Sequence, residues 1–283
     1  MATSCSRTTP SICQTGYVGI DGTERPRPGR PGIPLKGDTH RPVYRFGDTV
    51  LRRAMWWTPA IHDLLRYVRA RGFTFAPEPH GVEDGWEVLQ YVEGQSGADS
   101  WAKVVPEEGL RRFARLLRLY HDAVSGYEAP PGAQWAFAEG GPIEGETFCH
   151  NDFGPWNVVW DGDEPIAVLD WDLVSPGPAS DDVAYAAQYV VPFVDDDQCL
   201  RWLRYPAPPQ RGRRLRIFAE AYGLASIDGL VSAVAARQRR TVVHVRHLAA
   251  RGVRPQLDWV GSGSVDDEER RARWTEGHFG LFE

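Results

Sequence analysis

The segment HNDFGPWN brings His150, Asp152 and Asn157 within eight residues. It also contains Gly154 and Pro155, which break regular structure and let the loop fold back on itself. A compact polar loop is the expected result. Thirteen residues after Asn157, the strand-like run IAVL delivers Asp170 at its end. There apolar side chains anchor the backbone while the carboxylate projects into a cleft. An amide oxygen and a carboxylate of this kind suit magnesium. That ion prefers oxygen, keeps several waters and is held by one or two carboxylates together with substrate phosphates. His150 has two readings, a general base or a packed structural ring. Asp172 points to the same side as Asp170 if DWD is extended, where it either binds metal or faces water.

The polar residues need a scaffold, and TFCHNDFGPWNVVWDGDEPIAVLDWD supplies one. Its apolar runs VVW and IAVL flank an Asp161-Gly162 turn, so a hairpin carries the loop and Asp170 at its ends. Upstream, VYRF and TVLRR around Gly47-Asp48 predict a second hairpin. Thr58-Pro59 then reads as an N-cap and first-turn proline, followed by the stripe Ile61, Leu64, Leu65 and Val68, before Gly72 stops the helix. A turn at Asp84-Gly85 leads into the strand WEVLQYV. Leu110, Phe113, Leu117, Tyr120 and Val124 mark an amphipathic helix. Further helices are expected near 181–190, 211–222 and 228–250, and a last one from Ser264 with Asp267 completing a capping box. Residues 1–32, rich in Gly, Pro and Arg, show no periodicity and read as a mobile arm. The predicted class is α+β and two-lobed: a small strand-rich lobe over 33–93, and a larger helical lobe with an inserted hairpin over 94–283.

The pattern H-x-D-x-x-x-x-N, then D-W-D, with Gly177 and Asp182-Val183-Ala184 beyond, resembles the aminoglycoside phosphotransferase and choline-kinase-like family, which has a protein-kinase-like fold. The resemblance implies a phosphotransferase that uses ATP, with GTP as an alternative, and Mg2+. The implied acceptor is a hydroxyl on a small molecule such as an amino sugar, antibiotic, amino alcohol or related metabolite. It implies Asp152 as catalytic base, Asn157 and Asp170 as metal ligands, Asp182 as a brace for the loop, and His150 as structural support beneath it. Phosphoryl transfer fits this residue set, because it needs positioning, neutralised phosphate charge and a carboxylate to orient the attacking hydroxyl.

The first lobe matches less fully. GDTHRPVYRF resembles the family's first hairpin, yet Gly37 is a lone glycine and no G-x-G-x-x-G is present. Arg52 stands where the family has a Lys or Arg for the nucleotide phosphates, a contact Arg can make bidentately. Arg53, on the opposite face, is the second choice. The family's helix glutamate, which holds that cation, has no clear counterpart in PAIHDLLRYV. Asp63 is a possible stand-in, and Ile61 or His62 is the alternative occupant. Gln90, Tyr91 and Val92 correspond to the hinge that contacts adenine.

Two other functional classes compete: a catalytically weak kinase fold that only binds a ligand, and a metal-dependent hydrolase built on His150, Asp152, Asp170 and Asp172. Composition narrows the field. The chain of 283 residues has hydrophobic and charged shares of 42% and 25%, ordinary values that disfavour disorder and a membrane protein. A net charge of -6 disfavours a general nucleic-acid binder. The basic runs 211–216 and 237–240 read as solvated helix faces. Cys5, Cys13, Cys149 and Cys199 lack metal or disulfide spacing, which makes reduced thiols the expectation. No secretory signal is visible, so a cytoplasmic location is expected. For the acceptor, the acidic run 194–197 could attract a cationic sugar, and Trp156, Tyr185, Tyr189, Trp202 and Tyr205 could line a pocket.

Overall fold

A computed structural model describes residues 32–35 and 41–283. The predicted arm, apart from Gly32, and Gly37 of the first hairpin lie outside the described residues, as do Cys5 and Cys13. The chain begins with strands β1 (Ile33–Leu35), β2 (Val43–Phe46) and β3 (Thr49–Arg53), followed by helix α1 (Thr58–Ala70). Strands β4 (Pro79–Glu83) and β5 (Trp86–Gln90) come next, closed by the Asp84-Gly85 turn. The five strands form one antiparallel sheet in the order β1-β2-β3-β5-β4. Its register sets Arg52 directly opposite Glu87, and Arg53 opposite Trp86. Strand alternation therefore puts Arg52 and Glu87 on one face. On the other, the Arg53 guanidinium lies 4.1 Å over the Trp86 ring.

Helix α1 buries Ile61, Leu64, Leu65 and Val68, the predicted stripe. Its start differs from expectation. Trp57 occupies the N-cap position without a side-chain cap bond. The Thr58 hydroxyl instead accepts from the Met55 N–H at 2.9 Å, tying down the preceding turn.

The polypeptide then runs through α2 (Trp101–Val104) and α3 (Glu107–Val124). Leu110, Phe113, Leu117 and Tyr120 of α3 are fully buried, each large apolar side chain contributing about 1.5–3 kcal/mol. Strands β6 (Thr147–Cys149), β7 (Val158–Asp161), β8 (Glu164–Val168) and β9 (Ser175–Gly177) follow. β6 pairs with β9 and β7 with β8. This nesting matters for the site: residues 150–157 connect β6 to β7 and residues 169–174 connect β8 to β9, so both polar loops emerge side by side.

Helices α4 (Ala179–Val190), α5 (Asp196–Arg201), α6 (Arg211–Tyr222), α7 (Leu230–Ala250), α8 (Gln256–Ser262) and α9 (Val265–Gly277) complete the fold. The capping box expected at Ser264 does not form, because Ser264 is already helical in φ and ψ and makes no side-chain cap bond. The basic runs are solvated in part, with Arg213, Arg216, Arg239 and Arg240 exposed as predicted. Arg211, Arg214 and Arg237 are buried. Arg214, for example, donates to the carbonyls of Val104, Val105 and Val190, at the C-terminal ends of α2 and α4.

The sheet and the helical region meet at Gly94. A Cβ there would lie 2.6 Å from the Val159 side chain and 2.9 Å from the Trp160 carbonyl. Glycine is required for this approach, and the next residue, Gln95, then exchanges two backbone bonds of 2.8 Å with Trp160. Among the described residues no helix is long and apolar enough to cross a membrane, and Cys149 and Cys199 are free, buried thiols.

Candidate active site

The loop after β6 is held from below. Asp182, near the start of α4, is fully buried and accepts from the N–H groups of His150 (2.5 Å) and Asn151 (2.7 Å) and from His121 (3.2 Å). His150 is fully buried, and burial pushes its ring down to about 4, so it is neutral at pH 7. Its Nε2–H donates to the Leu169 carbonyl at 3.1 Å and its Nδ1 accepts from the Asp152 N–H at 3.3 Å. One ring thereby ties the two polar loops together. Arg237 of α7 reaches the same loop, donating to the Asn151 carbonyl at 3.0 Å. Gly154 lets the Trp156 ring lie against the loop backbone, in space a Cβ would occupy.

The Asp152 carboxylate lines the cleft with one hydrogen bond to each oxygen. Oδ1 accepts from the Tyr185 hydroxyl at 2.5 Å and Oδ2 from Asn157 Nδ2 at 2.8 Å. Burial, with the negative charge of Asp170 second, pushes this carboxyl up to about 7. Asn157 Nδ2 also donates to the Asp152 carbonyl at 2.9 Å, which fixes the amide orientation. Its Oδ1 is then buried without a hydrogen-bond partner among the described residues.

Asp170 adopts the left-handed conformation, with φ 57°, as does Asn151 at 63°. Of the four positive-φ non-glycine residues among those described, these two sit at the site, and short polar side chains are the non-glycine residues that tolerate such a backbone best. Consequently DWD is not extended. A 3₁₀ turn over Trp171–Leu173 turns Asp172 away from the position beside Asp170 and inward. There it pairs with Arg41, pairs with Arg52 at 3.0 Å, and accepts from the Trp57 indole at 3.1 Å. Burial alone would raise its carboxyl, but the two guanidinium groups hold it at about 2. Asp172 therefore neither faces water nor offers a free metal-ligating carboxylate.

Arg52 lies at the junction of both lobes. It bonds Glu87 at 2.5 Å and Asp172 at 3.0 Å, and reaches Asp170 at 3.4 Å. The acid that holds the strand cation thus comes from the neighbouring strand, not from α1. Glu87 is only 1% exposed, and His62 of α1 donates to its second oxygen at 3.0 Å. Asp63 is not the stand-in considered from the sequence, since it accepts from the Tyr127 hydroxyl at 2.8 Å. At the end of β5 the Gln90 N–H donates to the Glu78 carbonyl and the Tyr91 N–H to that of Asp48, with Val92 next in the chain.

Sequence reading missed Glu87, Arg41, Arg237 and Trp57 as site residues. A charged residue inside WEVLQ, opposite Arg52 once the strands pair, was the available signal for Glu87. Arg237 shares a helical stripe with the buried Val234, Gln238 and Val242 of α7, a weaker one. Arg41 and Trp57 carried none. The acidic run lies apart. Asp195 caps α5, Asp196 pairs with Arg211, and Asp197 pairs with Arg201. Trp156, Tyr185 and Tyr189 line the cleft, whereas Trp202 is 59% exposed elsewhere and Tyr205 is buried, its hydroxyl donating to Val190.

Comparison with known proteins bears on the family and the fold. Residues 136–218, which contain both polar loops, match the sequence profile of the APH phosphotransferase enzyme family. A trifolitoxin immunity protein of Rhizobium leguminosarum bv. trifolii is 31% identical over 199 residues, 68% of this chain and 74% of the relative. Among solved structures, an amicoumacin kinase in complex with AMP-PNP, Ca2+ and Ami superposes with a TM-score of 0.57 at 12% identity, covering 85% of this chain and 86% of that one. A choline/ethanolamine kinase family protein from Mesorhizobium loti gives 0.51 at 15% identity, covering 83% and 88%. The profile match and the 31% identical relative mean that the chain belongs to the phosphotransferase enzyme family.

Proposed function

We propose that the protein transfers the terminal phosphoryl group of a nucleoside triphosphate, ATP in the first instance, to a hydroxyl of a small molecule. One observation carries the reading. A carboxylate pushed up to about 7 stands beside a buried amide oxygen with no partner among the described residues, in one cleft with Asp170. Asp152 is the base in this scheme. Tyr185 and Asn157 hold its carboxylate, which receives the acceptor's proton as the new O–P bond forms. The bond between the transferred phosphorus and the bridging oxygen breaks, and its electron pair leaves with the nucleoside diphosphate.

The donor set fits magnesium: Asn157 Oδ1 and the Asp170 carboxylate are both hard oxygens, the pattern of a metal shared with phosphates. Mg2+ bound there would neutralise phosphate charge. Arg52 supplies a further cation for the phosphates. Its contact to Asp170, the longest of the three at 3.4 Å, is the one a phosphate would replace, while Glu87 and Asp172 keep it in place. Gln90 and Val92 are the adenine-facing hinge residues in this reading. His150 and Asp182 support the loop without touching substrate.

The metal-hydrolase alternative lacks ligands. Both nitrogens of His150 are engaged, Asp172 is held by two arginines, and the described residues contain no group of three or more His, Cys, Asp or Glu able to hold a metal. Calorimetry tests the proposal. ATP should bind more tightly with magnesium than without it, and Asp170→Ala should remove that difference. Equal affinity in all these conditions would sink the reading. A mass-spectrometric screen of hydroxylated metabolites and antibiotics for the gain of one phosphate would then identify the acceptor.

A further inference from the structure

Beyond Asp152 the cleft continues between α7, α8 and α9, and the whole of it, from Arg41 and Arg52 to α9, encloses about 260 Å³. Its far wall is apolar: Val242, Val245 and Leu248 of α7, Pro255, Trp259 of α8 and Val265 of α9. Near Asp152 the wall is aromatic, with Tyr189 packed edge-on against both Trp156 and Tyr185 at 4.6 and 5.2 Å between ring centroids.

The charges along this wall are already matched. Apart from Asp152 and Asp170, every carboxylate lining the cleft is in an ion pair with arginine: Asp172 with Arg41 and Arg52, Asp267 with Arg270, and Glu268 with Arg271 at 3.0 Å. Two of the aromatic rings near Asp152 are engaged as well. The Arg237 guanidinium lies 4.6 Å over Tyr185, and that of Arg271 lies 5.9 Å over Tyr189. An ammonium bound along the α7–α8 wall, away from Asp152 and Asp170, would therefore lose its water without gaining an unpaired carboxylate. The acidic run 194–197 lines a separate surface depression with Arg201 and Trp202 and cannot supply the missing charge.

We infer that the acceptor is a neutral, hydroxyl-bearing molecule with an apolar body of about aromatic size, and not a polyamine sugar. The inference rests on the phosphotransferase reading and narrows its acceptor. The hydroxyl meets Asp152, and the apolar body lies along α7 and α8 against Trp259 and Val245.

The full-length chain with AMP-PNP and magnesium can be titrated with naphthylethanol, with its amino-substituted analogue, and with tobramycin. The neutral alcohol should bind at least about tenfold more tightly than the ammonium analogue, and tobramycin should not displace it. Trp259→Ala should weaken the alcohol by about tenfold while Trp259→Phe retains it. Val245→Glu, which adds an unpaired carboxylate to the wall, should reverse the preference. Tighter binding of the ammonium analogue or of tobramycin, or indifference to Trp259→Ala, would overturn the inference. The same samples separate the two levels of the argument. Absence of magnesium-dependent ATP binding removes the phosphotransferase reading and the acceptor with it. Intact nucleotide binding with a reversed preference removes the acceptor assignment alone.

Discussion

Asp152 and Asp172 open onto the same cleft from two neighbouring loops, and the protein treats their charges in opposite ways. Asp152 is surrounded by neutral donors, a phenol and an amide, with Asp170 nearby, and its carboxyl is pushed up to about 7. Asp172 is enclosed by two guanidinium groups and an indole N–H, and its carboxyl is held at about 2. Burial is common to both, so the difference comes from the neighbours. A carboxylate meant to take a proton must not be over-stabilised as an anion. One that anchors cations must never accept a proton. In the proposed mechanism the two loops divide these tasks, and Arg52 reaches both Asp172 and Asp170.

The contrast can be broken by swapping each aspartate for its neutral isostere. Asp172→Asn should destabilise the protein by about 3 kcal/mol at pH 7, because Arg41 and Arg52 lose a buried anion. A carboxyl depressed in the folded state stabilises above its unfolded value of about 3.9, and this is lost as pH falls towards 2. The penalty of the variant should accordingly vanish in acid. A denaturant titration at two pH values checks this, and an equal cost at both would contradict it.

Arg52→Ala should raise the Michaelis constant for ATP by about tenfold, the scale of one charge-assisted contact. Arg53→Ala should leave it unchanged, since Arg53 stacks on Trp86 on the far face. Steady-state kinetics on both variants would reveal a wrong strand register if the effects were exchanged.

Asp152→Asn should do the reverse of Asp172→Asn for stability. A carboxyl raised in the folded state stabilises below about 3.9 and loses that contribution as pH rises through about 7. The neutral amide should therefore raise the melting temperature by about 3 °C at pH 8 and leave it unchanged near pH 4. A lower melting temperature at pH 8 would mean that Asp152 is not under electrostatic strain. The smallest effect is expected at His62. His62→Gln, whose amide can still donate to Glu87, should change the ATP Michaelis constant by less than about threefold, and His62→Ala by more. An unchanged value in His62→Ala would detach α1 from the phosphate cation.

The two halves of the site were not equally legible in the sequence. Asp152, Asn157 and Asp170 lie within 19 residues, joined by a hairpin with a clear turn, so local chain geometry nearly dictates their proximity. The partner of Arg52 depends on pairing between strands separated by a helix, and periodicity fixes a face but not a cross-strand neighbour. WEVLQ read as core strand is correct for Val88 and Leu89 and hides Glu87, whose burial needs both Arg52 and His62 in place. Asp172 was misread for a related reason. Its direction depends on the left-handed backbone at Asp170, which nothing in LDWD announces. In the basic runs the solvated-face reading holds for Arg213, Arg216, Arg239 and Arg240 and misses Arg211, Arg214 and Arg237, because a buried arginine looks like a solvated one until the carbonyls it reaches are known.

The central claim is that Asp152 takes the acceptor's proton, and single-turnover phosphoryl transfer from ATP by wild-type and Asp152→Asn protein tests it most directly. ATP affinity and the melting curve should be measured on the same samples. The variant should bind ATP as well as or slightly better than the wild type and remain folded, with transfer slowed by about a hundredfold or more. Full transfer by the folded variant would contradict the assignment and the mechanism built on it.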